Sequence, residues 1–379
     1  MLFDVAEIPT MPTSFRTGSA SALLPPRHSQ SQKSLSPSFL LGLPYLAENE
    51  LVQTARELNA PVLLSANALS KWRKDANGIP TWCGFNKTPL RHAHGLKIHL
   101  DSAGFVAAAK YRRFPWTVCD YMDLCEAAPW EWFASMDWCV ENQVAPNAEI
   151  VLNRVSGTVR LNTACALEAE RRGIASRLMP VIQGWRPDDY LRCIDRMLPL
   201  IDGKSIIGVG SMCRRHVAGQ SGIVQILDAL DQALGSDPVR FHLFGLKSSA
   251  LALIAGHPRV ASADSQAYGI QARRAAIQIR ETQAGFSKSN SFTAAIMRNW
   301  YLAQLDALRT SRKSVPRATG ILPLPPSPPS NPFEARYQQA AEEVRQLHET
   351  GEIDFGDINP AVIFAWAFDD DHAEDKADI

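Results

Sequence analysis

With 379 residues, a hydrophobic share of 46% and equal numbers of basic and acidic residues, 39 of each, the chain can build a sizeable core but has no bulk charge with which to coat nucleic acid. No apolar run is long enough to cross a bilayer, and the N-terminus lacks a basic flank followed by an apolar segment, so the expectation is a soluble cytoplasmic protein with no membrane partner. The seven cysteines are odd in number and contain no C-x-x-C or C-x-C pair, which argues against a disulfide framework and a zinc knuckle.

Residues 1–37, rich in Ser and Pro and without periodicity, predict a flexible arm. Ordered structure is expected from Phe39-Leu40-Leu41, a buried strand, followed by a helix over Glu48–Leu58 and a strand over Pro61–Ser65. The Gly, Asn and Pro content of Lys71–Arg91 predicts an irregular loop. Leu96–Leu100 alternates as a strand and runs into Asp101; a helix is expected over Thr117–Ala127, and Glu131–Met136 leads to Asp137. Next come a helix over Val155–Arg172, a strand over Arg177–Ile182 ending in Gln183, a helix from Pro187 to Leu198, and a strand over Ser205–Val209 running into Gly210 and Ser211. A helix over Ile223–Leu234 precedes the strand Phe241–Phe244, which stops at Gly245; Val260–Ala263 is a strand stopping at Asp264. Phe292–Leu308 is helical, residues 313–332 form a proline-rich linker, and residues 333–379 form a helical and acidic C-terminal extension.

The strands near residues 39, 62, 98, 134, 180, 207, 242 and 261, nearly all separated by helices, predict an α/β fold, a (β/α)8 TIM-type barrel over residues 38–312. In that fold the carboxyl ends of the strands share one mouth, so Asp101, Asp137, Gln183, Gly210, Gly245 and Asp264 become candidates for one site. Taken alone, Asp264 reads better as the N-cap of the helix starting near Gln266. Three aspartates in one polar pocket change that weighting, because burial and mutual repulsion separate their pKa values and so their roles. Gln183 offers donor and acceptor, and Gly210 permits close approach of a planar ligand; the set suits a purine edge as well as a sugar. Trp138, Trp185, Phe105 and Tyr268 are candidates to stack on a base, though aromatics near strand ends more often pack the core or rim.

The segments LDSAGF, ASMDWC, PVIQGW, GVGSMCRR, FHLFGLK and SADSQAYG, in that order, resemble the guanine transglycosylase superfamily, and in particular its DNA-directed branch, the DpdA family of 7-deazaguanine DNA modification proteins. The resemblance covers roughly residues 38–280. It implies a base exchange: Asp264 attacks C1′ of the target nucleotide, a covalent enzyme–sugar intermediate forms as guanine leaves, and a 7-deazaguanine such as preQ0 takes its place. It further implies Asp101 as general acid and base, Asp137 and Gln183 as readers of the polar edge of the base, and the backbone of Gly208, Gly210 and Ser211 as the contact to its carbonyl oxygen. The implied partners are DNA, the free deazaguanine base and further proteins of a modification system, with no cofactor.

The chain departs from tRNA-directed relatives, which carry a structural zinc after the barrel, since no cysteine follows Cys213; no metal is expected. For His92, His94 and His99 a surface or polar-contact role is preferred over a metal site. Lys110, Arg112 and Arg113, with Arg214 and Arg215, flank the mouth motifs and are candidates for phosphate contacts on its rim. A tRNA-guanine transglycosylase, a barrel glycoside hydrolase and a catalytically silent nucleic-acid-binding subunit are the competing readings.

Overall fold

The protein is described by a computed structural model over residues 37–74, 80–213, 215–217, 221–283, 285–310 and 342. The expected N-terminal arm as far as residue 36, the proline-rich linker and the C-terminal extension apart from Glu342 lie outside the described residues.

Strands β1 (Ser38–Leu43) and β2 (Val62–Ser65) flank helix α1 (Glu50–Glu57), whose first turn is closed by the Asn49 side chain accepting from the Val52 N–H. A 3-10 turn then leads into β3 (Ser70–Lys74) and β4 (Pro80–Phe85), and β5 (Ile98–Asp101) follows. A single turn, α2 (Gly104–Val106), continues as a π turn over Ala107–Tyr111, and α3 (Val118–Glu126) starts at a capping box between Thr117 and Asp120. Then come β6 (Trp132–Ala134), α4 (Ala148–Arg171), β7 (Leu178–Met179), β8 (Val181–Ile182), α5 (Pro187–Ile201), β9 (Ile206–Val209) and α6 (Ile223–Leu234). The sequence of elements ends with β10 (Arg240–Leu243), α7 (Ser248–Ile254), β11 (Val260–Ser265), α8 (Tyr268–Thr282) and α9 (Asn290–Thr310).

All strands but β3 and β4 form one sheet, in the order β7-β6-β5-β2-β1-β11-β10-β9-β8, and every pair in it is parallel. Its two edges, β7 and β8, are one stretch of chain interrupted only at Pro180, which has no N–H to give to the ladder. The Pro180 carbonyl still accepts from the Gly208 N–H (2.8 Å), so the sheet closes on itself as an eight-stranded barrel of the expected kind. The strands are buried on both faces, as parallel strands under helices must be; Val62, Leu64, Phe133, Val209 and Phe241 are fully covered. Inside the barrel, Trp132 of β6 touches His99 of β5 (4.7 Å between centroids) and His242 of β10 (4.8 Å), a contact that crosses the interior because β6 and β10 are not neighbours. On the outer wall, Tyr301 of α9 stacks on Phe39 (6.0 Å) and donates to its carbonyl (3.0 Å). No helix among the described residues is long and apolar enough to cross a membrane.

Two elements differ from expectation. Helix α4 begins at Ala148 rather than Val155, because Asn147 caps it through the Ile150 N–H (2.9 Å) and Glu149 favours its first turn. The stretch read as an irregular loop over Lys71–Arg91 contains the antiparallel β3–β4 hairpin, with Trp72 opposite Trp82. Its inner face packs into an aromatic cluster: Trp82 lies against Phe85 (5.3 Å) and Trp116 (6.0 Å), and Phe114 against Trp116 (5.7 Å). Tertiary burial of these rings overrides the loop-like composition.

Candidate active site

Each residue proposed for the mouth sits at or just beyond the carboxyl end of a strand. Asp101 closes β5, Asp137 follows β6, Gln183 follows β8, Gly210 and Ser211 follow β9, Gly245 follows β10, and Asp264 is the penultimate residue of β11. Parallel register places these ends at one level, with Asp101 beside Ser65 of β2 and Asp264 beside Leu40 of β1.

Asp137, Gln183 and Ser211 form one buried network. Asp137 Oδ1 accepts from Ser102 Oγ (2.7 Å) and Oδ2 from Gln183 Nε2 (2.5 Å). Gln183 Oε1 accepts from Ser211 Oγ (2.7 Å), which itself accepts from the Val140 N–H (2.9 Å). The carboxylate on one side and the hydroxyl on the other fix which way the Gln183 amide points. Burial raises the Asp137 pKa, and the bonds from Ser102 and Gln183 oppose that rise. Gly210 is required by this packing, since a Cβ there would overlap the Gln183 amide.

Asp101 lies where three carboxyls feel one another. Burial first, then the charges of Asp137 and Asp264, push its pKa up to about 7; the Ala103 N–H, 3.1 Å from Oδ2, pulls the other way. A carboxyl that titrates near neutrality can both give and take a proton. Asp264 is held differently: Oδ1 accepts from the Gly245 N–H (2.9 Å) and faces His242 Nε2 (3.3 Å). Gly245 has φ of +63°, the left-handed region that suits glycine.

Four expected contacts fall elsewhere. The Gly208 N–H is committed to Pro180, and its bare Cα accommodates the Phe244 ring, so it belongs to the barrel wall rather than to a base site. The backbone of Gly210 is likewise engaged, donating to the Ile182 carbonyl (3.0 Å) and accepting from the Tyr190 hydroxyl (2.6 Å). Arg215 is a correction: instead of lying on the rim it is 1% exposed, donating to the carbonyls of Gly184, Trp185, Ser211 and Ser221 and stacking on Trp185 (4.3 Å). Its guanidinium knits the loops after β8 and β9 together. Arg214 lies outside the described residues. Tyr268 is also buried rather than a stacking platform, donating to the Gly42 carbonyl (2.9 Å) and packing on Trp300 (5.7 Å). Of the three histidines, His92 faces Glu48 (3.2 Å) while His99 is inside the barrel. Among the described residues no group of His, Cys, Asp and Glu is placed to hold a metal ion.

Lys110, Arg112 and Arg113 are exposed, as expected of a rim. Tyr111 between them stacks on Trp72 (4.7 Å, 28°) and donates to Asn67 Oδ1 (2.9 Å), which ties this cluster to the β3–β4 hairpin. Lys71, Arg73 and Lys74 on β3 are exposed as well, so the basic surface is wider than the rim motif alone. The run Lys71-Trp72-Arg73-Lys74 carried that signal: cations around one inward-facing aromatic. His242 left a weaker trace, a polar residue between the apolar Phe241 and Leu243.

The family model for DpdA, described as DeoxyPurine in DNA protein A, matches residues 86–319. No curated protein matches the chain. Among solved structures, the crystal structure of the YdjI aldolase from Escherichia coli K12 is similar with a TM-score of 0.44 and 11% identity, over 74% of this chain and 94% of that one.

Proposed function

The chain belongs to the DpdA family, and we propose that it is a transglycosylase that replaces guanine in DNA with a 7-deazaguanine of the preQ0 type through a covalent Asp264–sugar intermediate, with residues 38–312 as the catalytic domain. The observation that carries this reading is the meeting of three aspartates of different environment at one barrel mouth, with Asp137, Gln183 and Ser211 already joined by hydrogen bonds. Family membership supports a transglycosylase-type enzyme with DNA as its substrate.

In the first half-reaction an oxygen of Asp264 bonds to C1′ of the target nucleotide as the C1′–N9 bond breaks. The electron pair leaves with guanine, and the Asp101 carboxyl, poised near pH 7, supplies the proton the departing base needs. In the second, the Asp101 carboxylate takes the N9 proton of the incoming deazaguanine, N9 bonds to C1′, and the ester bond to Asp264 opens. Asp137 is suited to accept from the N1–H and 2-amino group of a guanine-like ring, and Gln183 to donate to its carbonyl oxygen; that pattern distinguishes guanine from adenine. Lys110, Arg112 and Arg113, extended by Lys71, Arg73 and Lys74, offer the phosphate contacts. A target base within a duplex must first be flipped out, at a cost of roughly a few kcal/mol.

The test is incubation of the protein with guanine-containing duplex DNA and preQ0, then digestion to nucleosides and mass analysis. A deazaguanine nucleoside that appears with the native protein and is absent with Asp264→Asn, while DNA binding persists, is the expected result. Modification of tRNA but not DNA would overturn the substrate, and exchange that survives Asp264→Asn would overturn the nucleophile.

A further inference from the structure

Beneath Asp264, His242 of β10 is completely buried. Its ring is held by Trp132 (4.8 Å) and by the edge of Phe244 (4.6 Å, 84°). Nδ1 lies 2.8 Å from Ser262 Oγ on the neighbouring strand β11. Nε2 has no hydrogen-bond partner, and the polar atom it faces is Asp264 Oδ1 at 3.3 Å. The same oxygen accepts from the Gly245 N–H at 2.9 Å, whereas no described residue donates to Oδ2. A buried imidazole nitrogen without a partner is costly. Its placement against one oxygen of the proposed nucleophile asks for a function.

We infer that His242 is a positioning residue for Asp264: with its proton on Nε2, it and the Gly245 N–H hold Oδ1, so that Oδ2 is the oxygen that attacks C1′. Ser262 supports this arrangement, because an Nδ1 that accepts from the Ser262 hydroxyl leaves the ring proton on Nε2. When the C1′–N9 bond breaks and Oδ2–C1′ forms, Oδ1 becomes the carbonyl oxygen of the glycosyl ester. When N9 of the incoming base bonds to C1′, the electron pair of the C1′–Oδ2 bond returns to the carboxylate, and the charge that reappears on Oδ1 meets two preplaced donors. The pair of donors therefore does more for the second half-reaction than for binding, as groups aimed at developing charge do. Asp264 faces His242 at 3.3 Å, and His99 lies within electrostatic reach of it; burial lowers the His99 pKa to about 4, so His99 brings no positive charge to His242 at neutral pH. The inference rests on Asp264 being the nucleophile.

The experiment compares native protein with His242→Phe, His242→Gln, Ser262→Ala and Asp264→Asn in the DNA–preQ0 exchange, with melting curves for each. Phe keeps the packing against Trp132 and Phe244 but has no donor; Gln places an N–H near the position of Nε2. His242→Phe should lower kcat on the order of tenfold to a hundredfold while leaving KM for preQ0 unchanged, and His242→Gln should recover part of that loss. Ser262→Ala should lower kcat in the same direction by less. If His242→Phe melts like the native protein and keeps its kcat, or if His242→Gln is as slow as a folded His242→Phe, the inference is overturned and His242 is only packing. If the native protein itself performs no exchange, or Asp264→Asn still does, the nucleophile assignment has failed first; the two failures are separate readings of one plate.

Discussion

The barrel has two open ends, and strand β5 supplies a titratable group toward each of them, a buried one in His99 and a half-buried one in Asp101. His99, nearer the amino end, borders a cavity of about 310 Å³ with Lys97, Glu131, Trp132 and Ser262; Asp101, two residues further on, stands at the carboxyl end among Asp137 and Asp264. Burial acts on both in the same sense, against charge, and so moves them in opposite directions: His99 down to about 4, Asp101 up to about 7. The contrast lies in their company. His99 has its Nδ1 against the Val62 carbonyl (3.0 Å) and is neutral at physiological pH, whereas Asp101 is driven by two further carboxyls into the range where its proton is exchangeable. One end is built to stay neutral and the other to change state, which matches the division of labour in parallel barrels between stability below and chemistry above.

The largest break in that comparison should come from Asp101→Asn. It removes the exchangeable proton and should cut exchange roughly 10²–10⁴-fold, with the inflection near pH 7 disappearing from the kcat profile. Asp101 also bears on stability. Its folded pKa is above the unfolded one, so its contribution is complete below about pH 4 and is lost as pH rises through 7; Asp101→Asn should melt higher than the native protein at pH 8. Gly210→Ala comes next. The added methyl displaces the Gln183 amide, so KM for the incoming base should rise, with about 1–3 kcal/mol lost in stability by chemical denaturation.

His99→Gln sharpens the comparison from the other end. A base whose folded pKa is lowered supports the fold above pH 6.5 and loses that support as pH falls through 4, so the variant should flatten the acid limb of the melting curve while leaving the kcat profile near pH 7 in place. The smallest effect on turnover is expected from replacing Lys71, Arg73 and Lys74 together by Ala. Affinity for DNA should weaken irrespective of sequence, and the slope of log K against log salt should flatten by about 0.9 for each phosphate that is no longer neutralised. An unchanged slope would remove the hairpin from the DNA surface.

Much of this was legible because parallel strands buried on both faces are written as short apolar runs, and because an aspartate at the end of such a run is conspicuous. Asp101, Asp137, Gln183 and Asp264 come together on that logic alone. The β3–β4 hairpin was not legible, since Trp72 and Trp82 make a strand pair stable only against Trp116 and Tyr111, which lie far along the chain. Arg215 misled for a related reason. A guanidinium satisfied by four backbone carbonyls and one destined for phosphate are the same letter in sequence, and only the loops around it decide. His242 was visible as part of an alternating strand, but its significance depends on β11 placing Ser262 on one side of the ring and Asp264 on the other.

The interruption at Pro180 has a bearing on how this protein can associate. Because Leu178–Ile182 pairs with β6 on one side and β9 on the other, the main sheet presents no unpaired strand among the described residues. Neither a peptide nor a second copy can lengthen it by strand addition. Association through the described strands would therefore fall to helix faces, loops or the small β3–β4 pair.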